Sequence, residues 1–389
     1  MLNIPLMENN INEDDKKALI DFIEHSDHFT NGKKVKEFES EWSKWLGWEG
    51  DSLFVNSGSS ANYITMAAIR ELYGEGEVII SPIGWTSDIA SIITAGHTPV
   101  FVDVNMANLS INAAQIEEKI TDKTRAVVVI HVLGFNGLSE QIVDICKRHN
   151  VLLIEDTCES HGATFNGQKC GSIGDITNFS FYYAHHMSTI EGGMICTKNK
   201  ELSRMMRMMR SHGLLRECAD NDYINIVKES HADLHEEFIF PIMGYNMRST
   251  ELNAVIGLNQ LKRLDENVRK RRENYNLFIS NLDSRKYYTD FDNEGNSNYA
   301  FVVMPRPDRR DIYNSMIEAF RREMVEFRRG TAGGGNMTRQ PYIRERYPDI
   351  NPADYPNAEY IHENGVYIGN YPDLDHKKIQ QLCEVLNSL

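Results

Sequence analysis

Two adjacent histidines, His185 and His186, stand at the end of an aromatic run and offer groups for proton transfer. The run Phe179–Tyr183 reads as a strand, and the polar turn after it ends at the pair Gly192-Gly193. An imidazole has an unperturbed pKa of about 6.5, so it can give and take a proton near neutral pH. The alternative is that both are surface or hydrogen-bonded core histidines, and spacing alone favours neither interpretation.

A second candidate is the turn Ser57-Gly58-Ser59-Ser60, which joins a short strand to an amphipathic helix. The first backbone N–H groups of a helix have no intrahelical partners, and the helix dipole favours a negative charge beside them. Serine hydroxyls add further donors, so the turn is suited to bind a phosphate group. By itself the motif is weak, because a serine before a helix is also an ordinary N-cap.

The strands and helices that must position these residues alternate along the first half of the chain. Short runs rich in valine and isoleucine recur, with helical segments between them, at 51–55, 77–81, 98–103, 125–131 and 151–155. Strands of this kind are buried on both faces, which is typical of a largely parallel sheet. After a polar stretch at 217–237, which reads as a long loop, further strands at 299–304 and 325–329 alternate with helices. The pattern predicts an α/β protein with a second domain.

The composition is that of a globular protein. The 389 residues are enough for two domains, and 41% hydrophobic with 25% charged residues is ordinary. With 41 basic and 56 acidic residues the net charge is −15, which argues against general binding to nucleic acids or membrane surfaces. No signal-peptide pattern and no apolar segment of membrane-spanning length is found. The six cysteines are scattered without a CxxC pair, so we expect a cytoplasmic protein with reduced thiols and no bound metal.

The segment around the histidines resembles the active-site segment of the DegT/DnrJ/EryC1/StrS sugar aminotransferases, which use pyridoxal 5′-phosphate (PLP). The family pattern is approximately Ser-Phe-x-x-x-Lys-x-x-x-x-x-Glu-Gly-Gly, and Ser180-Phe181 and Glu191-Gly192-Gly193 match its two ends. His185 takes the position of the lysine that holds the cofactor, and no lysine lies between Lys169 and Lys198. A subset of the family, the sugar 3-dehydratases, has histidine at this position.

The resemblance implies the fold of the type I PLP-dependent transferases, which is similar to that of aspartate aminotransferase. It implies a large cofactor-binding domain with a mostly parallel mixed sheet over 1–245 and a smaller C-terminal α/β domain over 246–389. It also implies a homodimer with shared active sites. The cofactor contacts that the resemblance assigns are Gly58, Ser59, Trp85, Asp156, Glu159, Ser180 and, from the partner subunit, Asn246. The substrate contacts that it suggests are His212, Arg248, Arg328, Arg329 and Arg339.

The likeness to the 3-dehydratases implies a lyase-type enzyme that removes the C3 hydroxyl group from a nucleotide-linked 4-keto-6-deoxy sugar. His185 cannot hold the cofactor covalently, but it can move protons, and Asp156 would keep the pyridine nitrogen protonated. L-Glutamate would regenerate pyridoxamine 5′-phosphate (PMP). The resemblance favours GDP-4-keto-6-deoxymannose as substrate, in the synthesis of 3,6-dideoxysugars for O-antigen and lipopolysaccharide.

Other functions stay open at this stage, and so does the role of His186. A nucleotide-sugar 4-aminotransferase would need the missing lysine. A 3-dehydratase for CDP- or dTDP-linked sugars would share the chemistry, and the iron–sulfur type places a cysteine cluster after its histidine. Only Cys196, Cys218 and Cys383 follow here, far apart, so we expect no iron–sulfur cluster. A relative without activity would serve as a sensor or binding protein.

Overall fold

The computed structural model describes residues 1–8 and 10–389, and two sheets with helices around them form its frame. The strands are β1 (Asp51–Val55), β2 (Glu77–Ile80), β3 (Thr98–Phe101), β4 (Thr124–Ile130), β5 (Leu152–Asp156), β6 (Thr164–Phe165), β7 (Gln168–Lys169), β8 (Ile176–Ser180), β9 (Gly193–Thr197), β10 (Ala300–Val303), β11 (Phe327–Arg329) and β12 (Val366–Gly369). The helices are α1 (Glu13–His25), α2 (Lys33–Leu46), α3 (Gly58–Tyr73), α4 (Thr86–Thr94), α5 (Ala113–Ile116), α6 (Glu140–His149), α7 (Lys200–Arg210), α8 (Asn221–Ser230), α9 (Glu251–Leu261), α10 (Leu264–Asn281), α11 (Tyr313–Glu323), α12 (Pro341–Arg346), α13 (Pro356–Asn364) and α14 (His376–Asn387). Among these described residues, no helix has the length and hydropathy that a membrane crossing requires.

The main sheet has seven strands in the order β1-β9-β8-β5-β4-β2-β3. Neighbours from β3 to β8 pair in parallel, whereas β9 is antiparallel to both β8 and β1. The central strands β4, β5 and β8 are buried along nearly their whole length, and the valine and isoleucine run of β4 is typical of a strand that is covered on both faces. This confirms the predicted mixed, mostly parallel sheet.

The parallel strands end at one edge of the sheet, and the loops that follow them carry most of the predicted site. There β1 leads from Val55 into the serine turn, β5 ends at Asp156 and β8 ends at Ser180. β9 begins at the same edge, since Gly193 pairs with both Ser180 and Val55. A Cβ on Gly193 would lie 2.4 Å from the carbonyl oxygen of Ser57, so only glycine fits where the chain passes this turn.

The smaller sheet has the order β10-β12-β11, and both of its pairs are antiparallel. Its strand β10 packs on α10, where the rings of Phe301 and Phe278 are stacked with centroids 4.5 Å apart. The same apolar cluster includes Val78 of β2 in the main sheet, so one core connects the two sheets. The division of the chain at residues 245 and 246 into two domains stays a prediction.

One local prediction was wrong. The polar stretch 217–237, expected to be a loop, contains the helix α8. Asp220 caps this helix, because its side chain accepts the N–H of Tyr223 at 3.1 Å, and Val227 packs in a small apolar cluster with Met208. A good N-cap and one buried face are sufficient for a short helix even where most residues are polar.

Candidate active site

A cavity of about 960 Å³ lies at the edge where the parallel strands of the main sheet end, and β11 of the smaller sheet contributes to its wall. This volume is within the range of small-molecule and cofactor sites. The residues predicted from the sequence that line it are Gly58, Ser59, Trp85, Asp156, Glu159, Ser180, His185, Arg328 and Arg329. The fold therefore brings together side chains that are far apart in the sequence.

The turn at the start of α3 forms one wall of the cavity. Ser57 is the N-cap, and its Oγ accepts the N–H of Ser60 at 3.0 Å, whereas the N–H groups of Gly58 and Ser59 have no acceptor within the helix. A Cβ on Gly58 would lie 2.6 Å from the Cβ of Ser180. The wall is thus a close-packed cradle with free backbone donors, which favours a bound phosphate group.

Two carboxyl groups, one on the last residue of β5 and one three residues later, reach the cavity. Asp156 is buried, and its Oδ1 accepts the N–H of Cys158 at 3.0 Å. Glu159 accepts the N–H of Leu133 at 2.9 Å. Burial raises the pKa of Glu159 to about 7, and the negative charge of Asp156 adds to this effect. The site therefore has one carboxyl fixed by the backbone and a second that changes charge near neutral pH.

Trp85 lines the cavity and is 57% exposed, so it is not a core residue. It precedes α4, and its backbone N–H donates to Oδ2 of Asp88 at 2.9 Å. The hydrogen bond fixes the backbone from which the indole projects. An open indole offers a flat face on which an aromatic ring can stack.

His185 is partly buried and lines the cavity. Its Nδ1 is buried without a hydrogen-bond partner, and its ring lies beside that of Tyr299 with centroids 5.6 Å apart. Burial, and then the guanidinium of Arg271, lower the pKa of His185 to about 3. The imidazole is therefore neutral near pH 7, which is the form that accepts a proton, and the same shift makes it a weaker base than a free histidine.

His186 does not line the cavity, which distinguishes it from its neighbour. It is 1% exposed, and its Nε2 lies 3.1 Å from the carbonyl oxygen of Ser297. Burial lowers the pKa of His186 well below its usual range, and Arg271 contributes to the same shift. Of the two adjacent imidazoles, only His185 is placed to meet a ligand.

The structure places only two of the three arginines Arg328, Arg329 and Arg339 at the cavity. Arg328 and Arg329 lie on β11 and line the cavity, whereas Arg339 does not. The Nε of Arg339 donates to Oε1 of Glu359 at 2.8 Å, and a second ion pair joins its guanidinium to Glu363 at 3.4 Å. These pairs hold the charge of Arg339 within the chain, and its contact with the substrate stays a prediction.

Three further predicted residues, His212, Asn246 and Arg248, lie outside the cavity of their own chain. Their segments are joined, because Ser211 and Asn246 form an antiparallel bridge and the N–H of His212 donates to the carbonyl of Tyr245 at 2.6 Å. His212 has a φ of 65°, which is uncommon for a residue other than glycine. His212 and Asn246 are both exposed.

Several residues that contact or lie near the predicted ones were not predicted from the sequence, namely Asn62, Asp88, His161, Arg271 and Tyr299. Asp88 had a local signal, since an acidic residue three positions after Trp85 is typical of the first turn of a helix. Arg271 and Tyr299 had none, because only the packing of the C-terminal half against the main sheet brings them to His185.

Residues 9–387 match the model of the DegT/DnrJ/EryC1/StrS aminotransferase family. The chain belongs to this family. The match covers nearly the whole chain and confirms the resemblance that the segment around His185 indicates.

This member of the family is similar to GDP-4-keto-6-deoxy-D-mannose 3-dehydratase of Escherichia coli O55:H7, with 30% identity over 99% of this chain and 100% of the relative. It is also similar to dTDP-4-dehydro-2,6-dideoxy-D-glucose 3-dehydratase of Saccharopolyspora spinosa, with 28% identity over 96% of this chain and 84% of the relative. One similar solved structure is GDP-4-keto-6-deoxymannose-3-dehydratase with a trapped PLP-glutamate geminal diamine. It matches with a TM-score of 0.88 and 28% identity over 99% of this chain and 100% of that chain. The likeness confirms the predicted fold.

Proposed function

We propose that this chain is a nucleotide-sugar 3-dehydratase, which uses PLP and PMP to remove the C3 hydroxyl group from a nucleotide-linked 4-keto-6-deoxy sugar. The observation that carries the proposal is the side chain at the lysine position of the family. His185 lines the cavity there, and no lysine is among the cavity-lining residues in the described part of the chain. An aminotransferase would lack its covalent anchor, whereas proton transfer by an imidazole remains available.

The residues present fit a bound PLP or PMP. The N–H groups of Gly58 and Ser59 would hold the phosphate, Trp85 would cover one face of the ring, and Asp156 would pair with the pyridine nitrogen. A ligand bound here explains two features of the site. The turn carries glycine at position 58, where a Cβ would collide with Ser180, and the indole of Trp85 is exposed at the cavity. When bound, the group supplies an electron sink for chemistry at the sugar carbons.

His185 performs two proton transfers in this proposal. As a neutral imidazole it removes a proton from carbon, and as an imidazolium it donates that proton to the C3 hydroxyl, which leaves as water. The lowered pKa helps the second transfer, since an imidazolium that loses its proton readily is a strong acid. Arg271 contributes to this environment, and its guanidinium is held by a hydrogen bond to the carbonyl of Tyr299 at 2.9 Å.

L-Glutamate balances the reaction as the amino donor. The sugar loses its C3 oxygen, and glutamate is converted to 2-oxoglutarate and ammonia. The structure of the relative with a PLP-glutamate geminal diamine supports this choice of donor. The product would enter the cytoplasmic synthesis of 3,6-dideoxysugars for surface polysaccharides.

Arg328 and Arg329 are the residues that would bind the diphosphate of the nucleotide, because guanidinium groups pair with phosphate oxygens through charge-assisted hydrogen bonds. The relative from Escherichia coli favours a GDP-linked sugar. The relative from Saccharopolyspora spinosa makes a dTDP-linked sugar the alternative.

The iron–sulfur type of 3-dehydratase is less well supported. Cys196 on β9, Cys218 after α7 and Cys383 in α14 are buried in three different apolar clusters. Ligands of one iron–sulfur cluster have to meet around it, and these thiols lie in separate parts of the fold.

We further propose a homodimer in which each subunit completes the site of the other. His212, Asn246 and Arg248 lie outside the cavity of their own chain, and they would contact the ligands of the partner subunit. The segment between His212 and Asn246 carries three apolar side chains that are more than half exposed, namely Phe238, Phe240 and Met243. Neighbouring exposed apolar residues of this kind favour a subunit interface.

Mass spectrometry of the products tests the proposed reaction. The protein incubated with PLP, L-glutamate and GDP-4-keto-6-deoxymannose should release a sugar without the C3 oxygen, together with 2-oxoglutarate and ammonia. A parallel incubation with a dTDP-linked 4-keto sugar identifies the nucleotide. A 4-amino sugar that keeps its C3 hydroxyl would contradict the proposal. His185→Asn is the control, and it should give no deoxygenated product.

A further inference from the structure

Asp88 is a buried carboxyl group beside Asp156 that the proposed reaction leaves without a role. It lies in the first turn of α4, is 4% exposed and lines the same cavity. The Nδ2 of Asn62 lies 2.6 Å from Oδ1 of Asp88 and 3.3 Å from Oδ2 of Asp156, so one amide group bridges both carboxyls. The shared NH₂ group makes the two carboxyls neighbours. Asp88 therefore lies beside the group that we assign to the pyridine nitrogen.

The groups that donate hydrogen bonds to Asp88 and Asp156 are neutral amides. In the described ranges 1–8 and 10–389, Asp88 accepts from the amide of Asn62 and the backbone N–H of Trp85, and Asp156 accepts from Asn62 and the backbone N–H of Cys158. Two buried carboxylates in contact repel each other, so the favourable state holds one proton between them. Burial, and then the neighbouring Asp156, raise the pKa of Asp88 well above its usual range. The pair keeps one negative charge, which a pyridinium N–H would neutralise.

The side chain of Asn62 is held in one orientation by a hydrogen bond with Asn178. Its Oδ1 accepts the side-chain amide of Asn178 at 2.8 Å, and Oδ1 of Asn178 accepts the hydroxyl of Thr65 at 3.0 Å. Because its oxygen is occupied, Asn62 presents its NH₂ group to the two carboxyls. All of these side chains are buried, so the network has one arrangement of donors and acceptors.

Asp88 also holds the backbone of Trp85, whose ring lines the cavity. Its Oδ2 accepts the Trp85 N–H at 2.9 Å. The preceding residue is Gly84, where a Cβ would lie 2.8 Å from the same oxygen and 2.4 Å from Cδ1 of Ile130. The loop must therefore carry glycine here in order to approach the carboxyl. Both the place of the indole and the place of the Asp156 carboxyl depend on Asp88.

We propose that Asp88 is a positioning residue of the cofactor site, which shares one proton with Asp156 and links that carboxyl to the backbone of Trp85. This inference rests on the proposed PLP site and deepens it. Asp156 is held with a single negative charge for the pyridine nitrogen, and the indole is held for the face of the ring. Asp88 needs no contact with the reacting atoms.

The affinity of the full-length protein for PLP, measured by quenching of tryptophan fluorescence without any sugar, tests the positioning role. Asp88→Asn is neutral like the protonated acid and keeps a donor for Asp156, so PLP should bind within about threefold of the wild-type value. Asp88→Ala removes every contact and should weaken binding about tenfold or more. Asp103→Asn is the matched control, because Asp103 is equally buried and accepts the N–H of Ala358 at 3.0 Å outside the cavity.

Infrared spectra test the shared proton. At about pH 8 most of Glu159 is ionised, since its pKa is about 7, and the wild-type protein should still show the C=O stretch of a protonated carboxyl. The band should be lost in Asp88→Asn and kept in Asp103→Asn. Absence of the band in the wild type, equally weak PLP binding by Asp88→Asn and Asp88→Ala, or wild-type binding by Asp88→Ala would overturn the proposal. None of these measurements requires sugar dehydration, so they remain informative if the proposed function fails.

Discussion

Three imidazoles lie together at the edge of the cavity, namely the partly buried His185 and the buried His161 and His186. Burial is the largest cause that lowers the pKa of His161, His185 and His186, and the charge of Arg271 acts in the same direction on each. Their rings are close, with centroids of His161 lying 5.5 Å from those of His186 and 6.2 Å from those of His185. Neutral histidines suit a base that must work near neutral pH, and they also make the fold sensitive to acid.

His161 provides a test of that sensitivity, because it does not line the cavity and packs against Trp42, Phe179 and Phe181. Its folded pKa is well below 6.5, so its contribution to stability is present above about pH 6.5 and is lost as the pH falls and the unfolded chain takes up the proton. The free energy of unfolding of the wild-type protein should fall between about pH 7 and pH 5. We predict that it falls less in His161→Phe, by up to about 1.4 kcal/mol per pH unit. Urea denaturation at both pH values measures this, and equal losses in variant and wild type would contradict it.

The sequence allowed some site residues to be predicted and not others, for a physical reason. Asp156 ends a buried strand, and Ser59 and Trp85 lie within five residues of the end of one, so their place at the edge of the sheet depends on local structure that a sequence shows. Arg271 and Tyr299 reach His185 only through the packing of distant elements. Arg339 was predicted as a substrate contact from a motif, and its ion pair with Glu359 of α13 is a tertiary contact that the sequence does not show.

At the scale of elements, the turn between β1 and α3 is the part whose backbone N–H groups are proposed to bind the phosphate of PLP. The wall is close-packed because Gly58 has no side chain toward Ser180. We predict that Gly58→Ala weakens PLP binding at least tenfold, because the new Cβ would lie 2.6 Å from the Cβ of Ser180 and would push the first turn of the helix away. Equilibrium titration with PLP measures the effect. Wild-type affinity of Gly58→Ala would contradict the prediction, because it would show that the turn can hold a Cβ.

Gly47→Ala is the control for this substitution. Gly47 ends α2 with a φ of 76° and has no neighbouring atom within 4 Å of a Cβ. Alanine there should cost about 1 kcal/mol of stability through the left-handed backbone. The affinity for PLP should stay at the wild-type value.

Some secondary-structure elements could be predicted from the sequence and others could not. The strands of the main sheet were predictable, since a run of valine and isoleucine buried on both faces has few alternatives. The helix α8 was missed because its polar residues dominate the pattern, and its stability depends on the Asp220 cap and on packing against Met208. The packing against Met208 is a tertiary contact that a local pattern does not contain, whereas the Asp220 cap is a local signal.

At the scale of the whole molecule, the proposed exchange of residues between subunits can be tested by mixing two inactive variants. In a dimer of His185→Asn and Asn246→Ala subunits, one site combines an intact His185 with an intact Asn246 from the partner subunit. We predict that co-refolded equal amounts recover about a quarter of wild-type activity, since half of the dimers are mixed and each has one intact site. Either variant refolded alone should stay inactive.

Recovery above the sum of the single variants is the signature of shared sites. If the mixture is no more active than its components, Asn246 acts within its own chain or not at all. Sedimentation of the mixed sample checks that dimers have formed.

The half-reaction with glutamate is the most direct test of His185 as the group that moves protons. Wild-type protein loaded with PLP and mixed with L-glutamate should lose the absorption of PLP and accumulate PMP, without any nucleotide sugar. His185→Asn should bind PLP with unchanged affinity and convert it at least about 100-fold more slowly, as expected when a general acid–base group is removed. Equal rates in the two proteins would contradict the role of His185.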